Sequence, residues 1–434
     1  MISGKNGVRL LMILMILCIP LISVASATTL TQAPEISWLR QFGTAEFDEA
    51  IGMTLDHVGN IYVCGGTKGT FPGQVYAGDQ DVFIAKFDKN GNQVWIKQFG
   101  TPGLDKPIGI TLDQLGNIYI CGHTDGTFPG QVSAGGRDAF IAKLDKDGNQ
   151  VWIKQFGTAR EERAISIALD QLRNIYVVGW TDGVFLGQTS AGDRDAFIAK
   201  FDENGNQIWI KQFGTTAFDE ALGIALDPLR NIYVFGSTYG VFPDQVSAGS
   251  RDCFIAKFDD DGNQIWVKQF GTTGSERGAG IALDQLRNIY VTGLTNGTFP
   301  GQVSAGDFDV FIAKFDKNGN QVWIKQFGTV ASDAAYWIAL DPLGNVYVAG
   351  DTGGAFPGQT SAGDCDAFIA KFDENGNQIW IKQFGTTRFD RIYQIALDPS
   401  RNIYVLGWTA GTFSGQVSAG ERDVFIAKLV QERH

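Results

Sequence analysis

Apolar and polar residues alternate at short range through VWIKQFG at 151–157, with aromatic and β-branched residues among them, the pattern of a half-buried strand. After the polar stretch TAREERA, the run ISIALD predicts a second strand, QLRN turns the chain, and IYVVGWT predicts a third. The segment DGVFLGQTSAGDRD then leads to AFIAKFD, a fourth, and ENGN returns the chain to QIWIKQFG. No segment carries an apolar stripe at helical spacing. Asn204-Gly205 inside a four-residue connection is a hairpin signal, because glycine takes the positive φ such loops need. The DPLGN and DQLRN connections are equally short. Two tight hairpins per unit force antiparallel neighbours and exclude a parallel β-helix or a βαβ array.

The unit recurs. Trp38, Trp95, Trp152, Trp209, Trp266, Trp323 and Trp380 are spaced by 57 residues with no insertion or deletion. Such a period marks a solenoid, propeller or array. Four antiparallel strands in each of seven copies predict an all-β fold, a seven-bladed β-propeller spanning residues 37–434. The small-residue run IGIALD suits the crowded inner strand, followed outward by IYVxG, FIAKF and WIKQF, whose Lys and Gln suit an edge facing water. Each Trp is expected to cover the seam between blades as a core residue. The chain begins with an outer strand at 37–42 and ends with a third strand at 424–429, so the two are expected to pair and close the ring.

These residues resemble a known family. DAFIAKFDENGNQIWIKQFGT, GIALDPLRNIYVFGST and the following Phe-Pro are similar to the bacterial SBBP β-propeller repeat, with its D-x-F-x-A-K and G-N-x-Y-V-x-G-x-T strands. The resemblance covers all seven copies, and it implies exported bacterial proteins with propeller folds and no single established activity. Departures are few: Leu186 and Ser414 replace proline, and Arg173, Arg230, Arg287 and Arg401 replace the glycine before Asn.

Residues 1–27 add a targeting expectation. Lys5 and Arg9, an apolar run Leu10–Val24 and Ala25-Ser26-Ala27 form a cleavable secretory signal, leaving 28–36 as a short leading segment. The run, broken by Pro20, is shorter than the ~20 residues a spanning helix needs. No membrane insertion is therefore expected after cleavage, and the protein is expected in the periplasm or outside the cell. Removing Lys5 and Arg9 takes the formal charge from −12 to −14, which disfavours nucleic acid and anionic membranes as partners. Cys64 and Cys121 share a repeat position where other copies have Val, Phe, Thr, Ala or Leu, and Cys253 and Cys365 lie two copies apart at different repeat positions, which argues for small buried residues rather than disulfides. The three histidines, His57, His123 and His434, do not recur, which weakens histidine-based catalysis or zinc binding.

The copies differ most in the crossovers between blades, from AEFDEA at 45–50 to TRFDRI at 387–392. Variable loops on a constant scaffold suit a binding face, as they do neutral drift. One carboxylate persists there: Asp48, Asp105, Glu162, Asp219, Glu276, Asp333 and Asp390. At an open mouth it would form a ring for a ligand or cation, with Ca²⁺ the fitting ion; turned inward it would hold loop N–H groups. A second recurring acid, from Asp81 to Asp423, is expected as a turn acceptor, with Gln74 and its equivalents tying down the long loop. Trp180 and Trp408 break the pattern near the loop face and could stack a sugar ring or fill the core. No blade carries a singular cluster of His, Cys or acid. The expectation is a non-catalytic, monomeric binding or scaffold module, with no cofactor beyond Ca²⁺, for a protein or glycan partner. The alternatives are a lectin-like or Ca²⁺-stabilised propeller and, less favoured, an enzyme with a site in the central channel.

Overall fold

Each copy of the repeat folds as the alternation predicts, into a sheet whose strands follow one another outward. In the computed structural model, which describes residues 32–430, β2 (Asp48–Leu55), β3 (Ile61–Thr67), β4 (Asp81–Phe87) and β5 (Gln93–Phe99) form one four-stranded antiparallel sheet in that order. Five further sheets repeat this arrangement. The signal segment expected at 1–27 lies outside the described residues, as does the start of the 28–36 segment. Among the described residues no helix is long and apolar enough to cross a membrane.

The seventh sheet joins the two ends of the chain. β1 (Glu35–Phe42) pairs with β28 (Asp423–Val430), which continues into β27 (Ile403–Thr409) and β26 (Asp390–Leu397). The register runs from Glu35 opposite Val430, through Trp38 opposite Lys428, to Phe42 opposite Val424. The fold is an all-β propeller of seven four-stranded antiparallel blades, closed by its N-terminal strand.

The core lies between blades rather than within them. Tyr62, Cys64, Val82 and Ile84 of one sheet pack on Ile110, Ile118, Ile120 and Phe140 of the next. The recurring tyrosines, Tyr62 through Tyr404, are among the largest fully buried side chains. The recurring tryptophans correct the expectation of core residues: of the seven only Trp380 is buried, and Trp95 and its other equivalents are partly buried. They sit on the outermost strand, which has water on one side. Each still covers the seam. The Trp95 ring meets Tyr62 edge-on at 6.3 Å, and a Cβ on Gly148, in the next blade's hairpin, would stand 3.0 Å from it. Gly148 is therefore needed both for its φ of 81° and for its missing side chain. Cys64, Cys121, Cys253 and Cys365 are free and buried.

The hairpin between inner and second strands also needs a left-handed residue. Gly59, Gly116 and Gly344 supply it, but Arg173, Arg230, Arg287 and Arg401 take the same place with φ of 65–68°. Such a conformation strains a residue with a Cβ by ~1 kcal/mol. Arg401, which forms no ion pair among the described residues, isolates that cost. Arg401→Gly is expected to raise stability by about 1 kcal/mol in urea denaturation. Deleting residues 28–43, and with them β1, is expected to lower the melting temperature by well over about ten degrees or cause aggregation, because β28 then becomes an open edge. An unchanged melt would contradict closure by this strand.

Candidate functional site

The seven recurring carboxylates at the start of the inner strands face the protein. Asp48, Asp105, Glu162, Asp219, Glu276, Asp333 and Asp390 are all buried. Asp219 accepts hydrogen bonds from the Thr215 backbone N–H at 2.6 Å and the Thr215 hydroxyl at 2.9 Å. Glu162, one methylene longer, accepts from Thr158 and Thr181 hydroxyls, both at 2.6 Å. The side chains thus cap the crossover backbone rather than ring an open mouth. Among the described residues, no group of three or more His, Cys, Asp or Glu is placed to hold a metal ion.

The second recurring acid meets the first at each joint. Asp195 accepts from the Ala191 N–H at 2.9 Å and from the Gln212 amide at 2.7 Å. Gln212 also donates to the Gly183 carbonyl and accepts from the Phe185 N–H, while its own N–H bonds Gln188 Oε1 at 3.1 Å. The glutamine of the outer strand therefore ties down the long Phe-Pro loop, together with the expected Gln188, the equivalent of Gln74. Between the two acids lies the glycine of the Phe-Gly-Thr phrase. At Gly100 a Cβ would stand 2.5 Å from Asp81 Oδ1 and 2.8 Å from Asp105 Oδ2. Only glycine fits. Burial pushes the carboxyls of Asp105 and Asp219 up to about 6, against the lowering effect of their threonine partners and with a further push from Asp81 and Asp195 respectively.

A cavity opens at the crossover-side end of the central channel. The pairing of β2 with β3 slips across Ile51, with Ala50 opposite Gly65 but Gly52 opposite Cys64. The same slip crosses Ile108, Ile165, Leu222, Tyr336 and Tyr393, and in the fifth blade it spans Ala279 and Gly280. A bulge re-aims the extra residue out of the pleat. All seven bulged side-chain positions line one cavity of about 380 Å³.

Repeat symmetry breaks at this mouth. On the sixth and seventh blades, Tyr336 and Tyr393 pack edge to face at 5.4 Å, and Trp337 and Gln394 stand where other copies have glycine or serine. Lys106, Arg163, Arg277 and Arg391 line it elsewhere. Lys106 pairs with Glu49 at 2.8 Å and Arg391 with Asp351 at 3.0 Å. Burial acts to raise the Glu49 carboxyl, but Lys106, Tyr393 and Arg422 outweigh it and hold it below its ordinary value. Glu220 is shared by Arg194 and Arg251, at 3.0 and 2.7 Å. Arg163 and Arg277 have no carboxylate partner among the described residues. Buried His123 also lines the cavity, and its Nδ1 has no partner. Burial, reinforced by Arg163, Arg137 and Lys106, pushes its imidazole well below the usual value, so it is neutral.

Trp180 and Trp408 lie buried beside this mouth with their faces covered. The Arg194 guanidinium stacks on Trp180 at 3.6 Å, and Arg422 on Trp408 at 3.6 Å. Their rings are occupied by arginine and leave no open face for a sugar. The aromatic residues that do reach the cavity, Tyr336, Trp337 and Tyr393, sit at inner-strand positions that the small-residue pattern assigns to packing. The usable signal was the departure of Trp337 and Gln394 from glycine, on strands 57 residues apart.

Comparison with known proteins agrees with this architecture. The family model described as the SBBP beta-propeller repeat matches residues 94–129, 151–185, 208–243, 265–300, 322–357 and 379–413. An uncharacterized WD repeat-containing protein of Acanthamoeba polyphaga mimivirus is 21% identical over 500 residues, covering 86% of this chain and 36% of that protein. The regulatory protein FlaEY of Caulobacter vibrioides is 25% identical over 170 residues, covering 36% of this chain and 18% of that protein. This chain thus spans about a third or less of the curated relatives it matches. Among solved structures, a WD40 domain from Neurospora crassa is similar at a TM-score of 0.50 and 11% identity, covering 91% of this chain and 96% of that one. A polysaccharide lyase is similar at 0.51 and 10%, covering 90% and 92%. At these identities the likeness is one of fold.

The raised carboxyls set a pH dependence. A carboxyl whose pKa rises on folding contributes stability below its unfolded value near 3.8, and loses it as pH climbs through about 6. His123, depressed on folding, acts in the opposite sense over a similar range. The effect is therefore isolated by difference. Relative to Asp219→Asn, the native protein is expected to gain on the order of 2 kcal/mol as pH falls from 7 to 4. Parallel stability profiles from chemical denaturation would contradict it.

Proposed function

On the premise that this chain belongs to the SBBP β-propeller repeat family, we propose that it is an exported, non-catalytic binding module whose ligand enters the crossover-side mouth of the channel. One observation carries this reading: seven bulges aim seven side chains into a single cavity of about 380 Å³, and the copies differ there as they do in the crossovers beside it. A volume of that size lies at the low end of the ~300–1,000 Å³ range of small-ligand clefts. Tyr336 and Tyr393 replace aliphatic residues at neighbouring bulges, while Trp337 packs on the core beside them and Gln394 accepts from the Met53 N–H of the adjoining blade. The propeller fold and the WD-repeat relative are consistent with binding or scaffolding. Aromatic side chains facing a cleft, with a few polar groups around them, favour a glycan over a folded protein surface.

Export rests on the signal-like residues 1–27. A protein partner remains the outcome if no saccharide is captured. The test is a glycan microarray probed with the native protein and with two variants. Ala279→Trp, at the smallest bulged position, plugs the mouth; Gln171→Ala lies on the opposite face. Native and Gln171→Ala proteins are expected to label the same glycans, with the signal lost by about tenfold or more in Ala279→Trp. Equal labelling by the plugged variant would overturn the assignment of the mouth.

A further inference from the structure

The mouth is chemically two-sided, and that asymmetry points to a ligand class. One arc, from the sixth and seventh blades, presents Tyr336, Trp337 and Tyr393, with the carboxylate-paired Arg391 guanidinium 5.0 and 5.8 Å from the two tyrosine rings. The other, from the second to the fifth, presents His123, Arg163 and Arg277. The charges on the second arc are not balanced as those around them are. Lys106, Arg391, Arg194 and Arg251 each have a carboxylate partner. Arg163 has none: its Nε is buried without a hydrogen-bond acceptor, and its guanidinium rests 5.1 Å from the Trp180 ring centroid. Arg277 likewise has no acceptor among the described residues and is exposed at the mouth. His123 is 3% exposed, lines the cavity and leaves Nδ1 unpartnered.

A buried donor or acceptor without a partner costs roughly 1–3 kcal/mol, so Arg163 Nε and His123 Nδ1 at one cavity, with the exposed Arg277 beside them, mark where a partner binds. The excess is cationic, on a protein whose formal charge is −12. A planar guanidinium fork matches a carboxylate, with two parallel hydrogen bonds. Opposite it, the aromatic side chains of Tyr336, Trp337 and Tyr393 line the cavity and offer apolar surface to a six-membered ring. Resting on the mouth assignment above, we infer that the ligand carries a carboxylate on a six-membered ring. The ring seats on the Tyr336–Trp337–Tyr393 side and the carboxylate faces Arg163, Arg277 and His123. A uronate sugar and an aromatic acid share that chemistry.

Isothermal titration separates the sources and the claims. The probes are trigalacturonate, its neutral counterpart galactotriose, and 4-hydroxybenzoate. The native protein is expected to bind one of the two acids at least about tenfold more tightly than galactotriose, with affinity falling as salt rises. Arg163→Gln combined with Arg277→Gln is expected to remove that preference while leaving the melting temperature of the fold in place. Preference for trigalacturonate assigns a uronate; preference for 4-hydroxybenzoate assigns an aromatic acid. Equal binding of galactotriose, an unchanged preference in the double variant, or no acid bound at about 5 mM would overturn the anionic assignment. If binding is found and Ala279→Trp leaves it intact, the mouth itself is wrong. If the plug abolishes binding but charge does not matter, only the ligand class is wrong.

Discussion

Two buried carboxylates pressed against one glycine hold each blade to the next. The third strand of one blade brings the first acid, the inner strand of the following blade brings the second, and Gly100 or its equivalent lies between them. Around this joint one oxygen of each aspartate is held by local donors, threonine N–H and hydroxyl on one side and the outer-strand glutamine and a loop N–H on the other, while Oδ1 of Asp195 and Asp219 is buried without a partner. The arrangement explains why Phe-Gly-Thr recurs unchanged while the crossovers beside it drift. Those loops vary in side chain, but their entry points are clamped.

A clamp of fixed geometry repeated seven times sets the angle between blades, and so fixes the width of the channel. That leaves the inner strands little freedom except at their bulges. There the side chain leaves the sheet, and its size does not disturb the pairing that fixes the ring. Packing tolerates isoleucine, leucine, alanine or tyrosine at that position without a change in register elsewhere. Rigidity of the joints and variability of the mouth are thus two sides of one construction.

Much of this architecture was legible in the chain. The 57-residue spacing, two hairpin turns per copy and the unpaired strands at either end determine blade number, strand order and closure. The candidate site was less so. Trp180 and Trp408 stand out in the sequence, yet arginines from adjoining segments cover them, a pairing no local pattern records. The carboxylate ring reads from sequence as buried caps on loop N–H groups or as an exposed crown, and depth decides for the caps. Tyr336, Trp337 and Tyr393 were hidden for a different reason. Alternation assigns faces by counting in twos, and a bulge resets the count partway along the strand. The prominence of Trp over Tyr as a core residue failed on similar grounds, since strand position, not side-chain size, decides which is fully enclosed.

The pairing of Phe42 with Val424 also orders events in time. During synthesis the first strand of the propeller appears long before its partner exists, and six sheets can assemble while it waits. The seventh sheet stays one strand short until β28 has been made, and a chain cut before β28 leaves both β1 and the outer edge of β27 without a partner.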